Sequence, residues 1–147
     1  MKVYFRGEPL LKPKSNGHKF EVMEFWIIIV NAITVMIPQG FWTDLASTGI
    51  FSPLNETMLP AILHDWLYYQ QTMVGQPIKR KVADKIFLAG MKTTKVNVFK
   101  RNMYYYGVRL GGWKTWNRYK KIKLKKLNEN IKIHKELLNK MDIKIKG

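Results

Sequence analysis

His64 and Asp65 stand side by side in "LHDWLYYQ", Asp84 follows in "ADKIF", and Asp44 precedes them in "GFWTDLASTGI", flanked by Thr43 and Ser47. An imidazole with a carboxylate partner is the pairing that takes a proton from water: the carboxylate fixes the tautomer and the other ring nitrogen acts as base. Neighbouring residues of a helix point about 100° apart. His64 therefore shares a face with Ala61, Tyr68 and Gln71, and Asp65 with Ile62 and Tyr69. The two need different partners. A short link, Val74–Ile78, joins this stretch to the one that carries Asp84, so the two helices are expected to run antiparallel. That brings Asp84 opposite His64. Asp65, facing elsewhere, is expected to meet the Gly40–Ser47 turn, where Asp44 is a second carboxylate and calcium or zinc a conceivable cation. Candidate catalytic residues are thus His64 and Asp84, candidate metal ligands Asp44 and Asp65, with Thr43, Ser47 and Tyr68 beside them.

A blander reading uses the same residues. A lone histidine on an apolar helix face is commonly a bonded core residue, Asp84 suits the N-terminal part of a helix, and Asp44 with Ser47 suits a turn or cap. The chain has no HExxH, no glycine-rich phosphate loop and no GxSxG. His18 and His134 have no acidic partner at useful spacing and receive no role.

The positioning elements follow from periodicity. The first ~55 residues read as β-rich: "VYF", then "KFEVMEFWIIIV", then "AITVMI", with Ile33, Val35 and Ile37 on one face. Asn31-Ala32 would be a tight turn lacking the favoured glycine, and residues 7–17 a loop. From residue 56 the period becomes helical. The first helix begins near Leu59, with Pro60 in its first turn, and "VGQP" ends it. A second covers "IKRKVADKIFLAGMKTT". A third covers "VNVFKRNMYYYGVRL" and is expected to stop at Gly111-Gly112. The fold expected is α+β: a small N-terminal antiparallel sheet, a three-helix cluster and one long basic C-terminal helix. Residues 1–113 would form the domain and 114–147 an amphipathic extension.

The extension differs in kind. Leu124, Leu127, Ile131, His134, Leu138, Met141 and Ile145 are spaced 3-4-3-4-3-4, an a/d stripe with lysine on the other faces. A helix from Lys114 would be about 48 Å long and cannot bury the stripe against itself. It lies along the domain, pairs with a second copy or docks on another protein. The net charge is +16, and lysine outnumbers arginine 21 to 5. Twelve of the Lys/Arg but only three of the Asp/Glu fall between Lys114 and Gly147. Such a balance suits a polyanionic partner, non-specific DNA among them. A lysine-biased composition on a solvated helix accounts for it equally well. The aromatic set of Trp66, Tyr68, Tyr69, Tyr104–Tyr106, Trp113, Trp116 and Tyr119 reads as core plus assembly surface. Without cysteine there are no disulfides, thiolate zinc sites or cysteine nucleophile. The longest apolar run, Phe25–Val30, is too short for a transmembrane segment.

"IPQGFWTDLAS", "LPAILHDWLY", "KRKVADKIFLAGM" and "YYYGVRLGGW" come in order over residues 18–116. They resemble the successive signature blocks of a domain-of-unknown-function family found mainly in tailed bacteriophages and prophages. The resemblance implies a phage origin and supplies no activity. It makes the expected role a structural virion component of tail or capsid, located in the particle or in the host cytoplasm before assembly. Its partners through residues 117–147 would be other phage structural proteins or a second copy. A fainter resemblance is to secretory phospholipases with a His–Asp dyad, which place HDxxY on one helix and an aspartate on the antiparallel one. His64, Asp65 and Tyr68 fit the first element and Asp84 with Phe87 the second. "GFWTDLAS" stands where those enzymes have a glycine-rich calcium loop. The alternative role this implies is a metal-assisted hydrolase of phospholipid or cell-envelope esters or amides, with a divalent cation as cofactor.

Overall fold

The computed structural model describes residues 1–14, 19–45 and 56–145, the side chains of 141–145 excepted. His18 and Ser47 lie outside the described residues, as do the side chains of Met141 and Ile145. Among the described residues the order is β1 (Val3–Phe5), β2 (Leu11–Pro13), β3 (Phe20–Val22), β4 (Trp26–Val30), β5 (Ile33–Ile37), β6 (Trp42–Thr43), α1 (Met58–Gln70), β7 (Thr72–Met73), β8 (Gln76–Pro77), α2 (Arg80–Thr93), α3 (Val98–Gly111) and α4 (Trp113–Ile145). The class is α+β, with antiparallel strands in small sheets ahead of the helices.

One sheet has the order β1-β4-β5 and the other β2-β3-β6. In β4, Trp26, Ile28 and Val30 are buried while Ile27 and Ile29 are only half-covered, the period-two pattern hidden inside "WIIIV". Val35 and Ile37 of β5 are buried, but Ile33, at the strand's first position, is exposed. Asn31 and Ala32 both have positive φ, 48° and 66°, the requirement of a two-residue hairpin turn matching the sheet's twist. Asn31 secures the turn without glycine: its Oδ1 accepts from the Lys2 backbone N–H at 2.8 Å.

Three sequence expectations are corrected. The 7–17 segment is not all loop, because Leu11–Pro13 pairs with Phe20–Val22. "KFEVMEFWIIIV" is two strands in different sheets, parted at residues 23–25. The α1–α2 link is longer than Val74–Ile78. Gln71 closes α1 in the left-handed conformation, and the chain then makes a small β7-β8 hairpin turning at Val74-Gly75.

The helices pack as expected, α1 on α2 and α2 on α3, and α2 also meets β1. Ile62, Leu63 and Leu67 of α1 and Ile86 of α2 join Val3, Ile28, Val30 and Ile37 in one core. Phe87 and Met91 of α2 pack with Val96, Tyr104 and Val108 in a second. α3 ends at Gly111 with Gly112 as its cap, as expected, but the cap is not left-handed. Gly112 has helical φ, −65°, and its N–H bonds to Val108 O while its own carbonyl accepts from Trp116. The single turn residue Gly112 separates α3 from α4. The first two turns of α4 belong to the domain, with Trp116 and Tyr119 packed on the core. Beyond Lys123, whose ammonium bonds to the Gln70 carbonyl, every described residue of α4 is exposed.

Candidate functional site

His64 faces α2 from the middle of α1, where its neighbours Leu63 and Leu67 anchor the helix in the core. Asp84 lies in the second turn of α2 and is fully buried. The two meet: His64 Nε2 is 3.0 Å from Asp84 Oδ1. The Tyr68 hydroxyl, one turn along α1, donates to the same oxygen at 2.6 Å. The second oxygen, Oδ2, accepts from Arg109 Nη1 at 2.6 Å and from Arg80 Nη1 at 3.3 Å. Arg80 also donates to the carbonyls of Val108 and Arg109, so it ties α2 to the end of α3. One carboxylate thus joins three helices.

The network sets the protonation states. Burial by itself would raise the Asp84 carboxyl, but the hydrogen bonds from His64, Tyr68 and Arg109 outweigh it and hold it below its ordinary range. Burial pushes His64 below its ordinary value, more strongly than Asp84 pulls it up. Near neutrality, then, the carboxylate is charged and the imidazole is not. An ionised carboxylate only accepts, so Nε2 must carry the proton. The lone pair of the neutral ring is left on Nδ1. Burial, and then the bond to Asp84, raise the Tyr68 phenol, which keeps it a donor.

His64 lines a cleft of about 360 Å³ between the β6 segment, α1 and the α3–α4 junction. Thr43, Asp44, Asp65 and Tyr68 line it too, so the structure brings together every described candidate of the sequence reading except Asp84, which stands behind His64. Thr43 joins the two stretches: its hydroxyl donates to Asp65 Oδ2 at 2.5 Å and accepts from the Leu45 N–H at 3.0 Å, and Phe41 packs on Trp66 and Tyr69 beside it. Among the described residues no three His, Asp or Glu side chains group to hold a metal ion. Asp44 and Asp65 line the cleft together.

Sequence reasoning missed the cations and the glycines. Lys19 and Arg118 line the cleft, and Tyr119 closes it beside Asp65. Burial, then the charge of Asp65, raise the Tyr119 phenol. Arg80 was within reach, since it stands four residues before Asp84 on a helix; Arg109 comes from another helix and leaves no local signal. Gly107, Gly111 and Gly112 form one wall. A Cβ at Gly107 or Gly111 would meet nothing, but one at Gly112 would overlap the Tyr68 hydroxyl.

The sequence profile of a family described as "Protein of unknown function (DUF1353)" matches residues 20–108, which include His64, Tyr68, Arg80 and Asp84. No curated protein and no solved structure matches the chain.

Proposed function

This chain belongs to that family of proteins of unknown function, and from that premise we propose that the cleft is the active site of a hydrolase in which His64 takes the proton from an attacking water. One observation carries the reading: a buried, ionised carboxylate holds Nε2 of an imidazole that lines a cleft, at 3.0 Å. Among the described residues Nδ1 has no bonding partner, and no serine or threonine hydroxyl bonds to His64. In this reading water is the nucleophile and no covalent intermediate forms. Nδ1 accepts its proton as it attacks an ester or amide carbonyl, and Asp84 stabilises the imidazolium that forms. The cations of Lys19 and Arg118, which line the same cleft, suit the negative charge that develops on the carbonyl oxygen. Positioned general bases contribute roughly 10²–10⁴-fold. The test is hydrolysis of a panel of chromogenic esters, envelope phospholipids and peptidoglycan by wild type and His64→Gln. Turnover of one substrate, reduced at least about 100-fold in the variant, supports the reading. An inert wild type, or a variant as active as wild type, refutes it.

A second reading is favoured by α4. Leu124, Leu127, Ile131 and Leu138 are all exposed along it, a stripe that a lone soluble helix does not keep bare. In this reading the protein is a structural component of a tailed-phage particle, and residues 117–147 dock on a neighbouring subunit or on DNA. Its support is the exposed stripe together with the resemblance of the chain's blocks to phage sequences. Deletion of residues 117–147 should abolish association with the particle; normal incorporation of the truncated chain refutes it.

A further inference from the structure

The apolar stripe does not begin in α4. Phe99, Met103, Tyr106, Leu110 and Trp113 are spaced 4-3-4-3, and each is exposed, Phe99 77% and Leu110 79%. Tyr104 and Val108, on the opposite face of α3, are the buried ones. An outward face with five large apolar side chains reverses the usual polarity of a surface helix. From Trp113 the same register continues through Asn117 and Lys120 to Leu124, Leu127, Ile131, His134 and Leu138 without a slip. One residue, Gly112, lies between the two helices; its φ is in the helical region, its N–H bonds to Val108 O and its carbonyl accepts from Trp116. The described seam therefore runs from Phe99 to Leu138 as consecutive a and d positions, with Asn117 and Lys120 as its polar layer.

Charge says what covers it. Of the twelve positions flanking the seam, six are Lys or Arg and none is Asp or Glu. Arg109 and Lys123 are engaged within the domain. Lys100, Lys114, Lys121 and Lys135 remain exposed beside the seam. Two copies paired in parallel would set Lys120 against Lys120, and in either direction would bring together chains of net charge +16. Carboxylates at the partner's flanking positions instead meet lysines along the whole length.

We propose that this seam binds an acidic amphipathic helix of another protein in coiled-coil fashion, with apolar a and d positions, Asp or Glu beside them, and a carboxylate opposite Lys120. The proposal rests on the docking reading of α4, extends its surface through α3 and names the partner's chemistry. It is independent of hydrolysis at the cleft.

The test uses the full chain and a synthetic helix of about six heptads with Leu at a and d and Glu at e and g. Sedimentation of the protein alone should show a monomer. The acidic helix should bind one to one and weaken as salt rises, and the same helix with Lys at e and g should not bind. Leu110→Glu and Ile131→Glu should each weaken binding by roughly tenfold or more; both side chains are exposed, so the fold is kept. Loss with Ile131→Glu alone overturns the seam through α3 while leaving α4 as a docking helix. No loss with either overturns both. Self-association abolished by Leu110→Glu would make a second copy the occupant. Binding of anionic vesicles or duplex DNA, with the acidic helix ignored, would make the occupant a lipid surface or nucleic acid. Each of these last results contradicts the proposal.

Discussion

Tyr68 and His64 share one acceptor: the phenol donates to Asp84 Oδ1 at 2.6 Å, the same oxygen that the imidazole holds at 3.0 Å. The rings lie 4.1 Å apart, so neither bond can shift without moving the other side chain. Tyr68→Phe removes one donor and leaves the second. The expected cost is about 1–3 kcal/mol of stability, measured by denaturant unfolding. Activity should fall with it, through a loosened His64, and the loss should appear in kcat more than in KM.

Asp84→Asn should be far more damaging. It leaves Arg80 and Arg109 without their carboxylate, and its amide, which donates as well as accepts, no longer fixes the His64 tautomer. Breaking a buried pair by removing one partner costs about 3–5 kcal/mol. Thermal unfolding should show a large fall in Tm, and an Asp84→Asn chain as stable as wild type would mean that the charge network holds little of the fold.

The pH dependence has a definite sign. The folded pKa of His64 lies below its ordinary value of 6.5, chiefly through burial, so the unfolded chain binds the proton first. Its contribution to stability is fully present above pH 6.5 and is lost as pH falls from there through the depressed folded value. Asp84 is likewise depressed, from 3.8, and its contribution is lost at still lower pH. Urea unfolding between pH 7 and 4 should show stability falling with acid, with the upper part of the fall missing in His64→Gln. If His64 is the base, the hydrolysis rate should be flat near pH 7 and drop in the same window.

The glycine wall gives a paired test. Gly112→Ala places a Cβ on both the Tyr68 hydroxyl and the Val108 carbonyl oxygen and should cost about 1–3 kcal/mol. Gly111→Ala meets nothing and should be neutral or stabilising by up to about 1 kcal/mol, from helix propensity alone. Equal effects of the two would show that the space beside Gly112 is not limiting.

Much of this was legible in the residues. Helical periodicity and a short link were enough to set His64 opposite Asp84, because two antiparallel helices leave few ways to place their turns. The contact of the 40–47 stretch with Asp65 followed from an unspent carboxylate on the other face of α1. What escaped was non-local or disguised. Arg109 reaches Asp84 across 25 positions of chain. Leu11–Pro13 looked like loop because its strand character comes from its partner, not its own composition. Gly111-Gly112 does end α3, as the residues indicate, but Gly112 makes the end without turning left-handed. Reading the two helices separately hid the seam, whose spacing continues across the glycines.

The central claim is that His64 offers a bare Nδ1 to water while Asp84 holds Nε2. The most direct measurement is the ¹⁵N chemical shift of each His64 ring nitrogen near pH 7. The account predicts a protonated Nε2 and an unprotonated Nδ1, with both reverting toward free-imidazole values in Asp84→Asn. A proton on Nδ1, or an imidazolium at that pH, would contradict it.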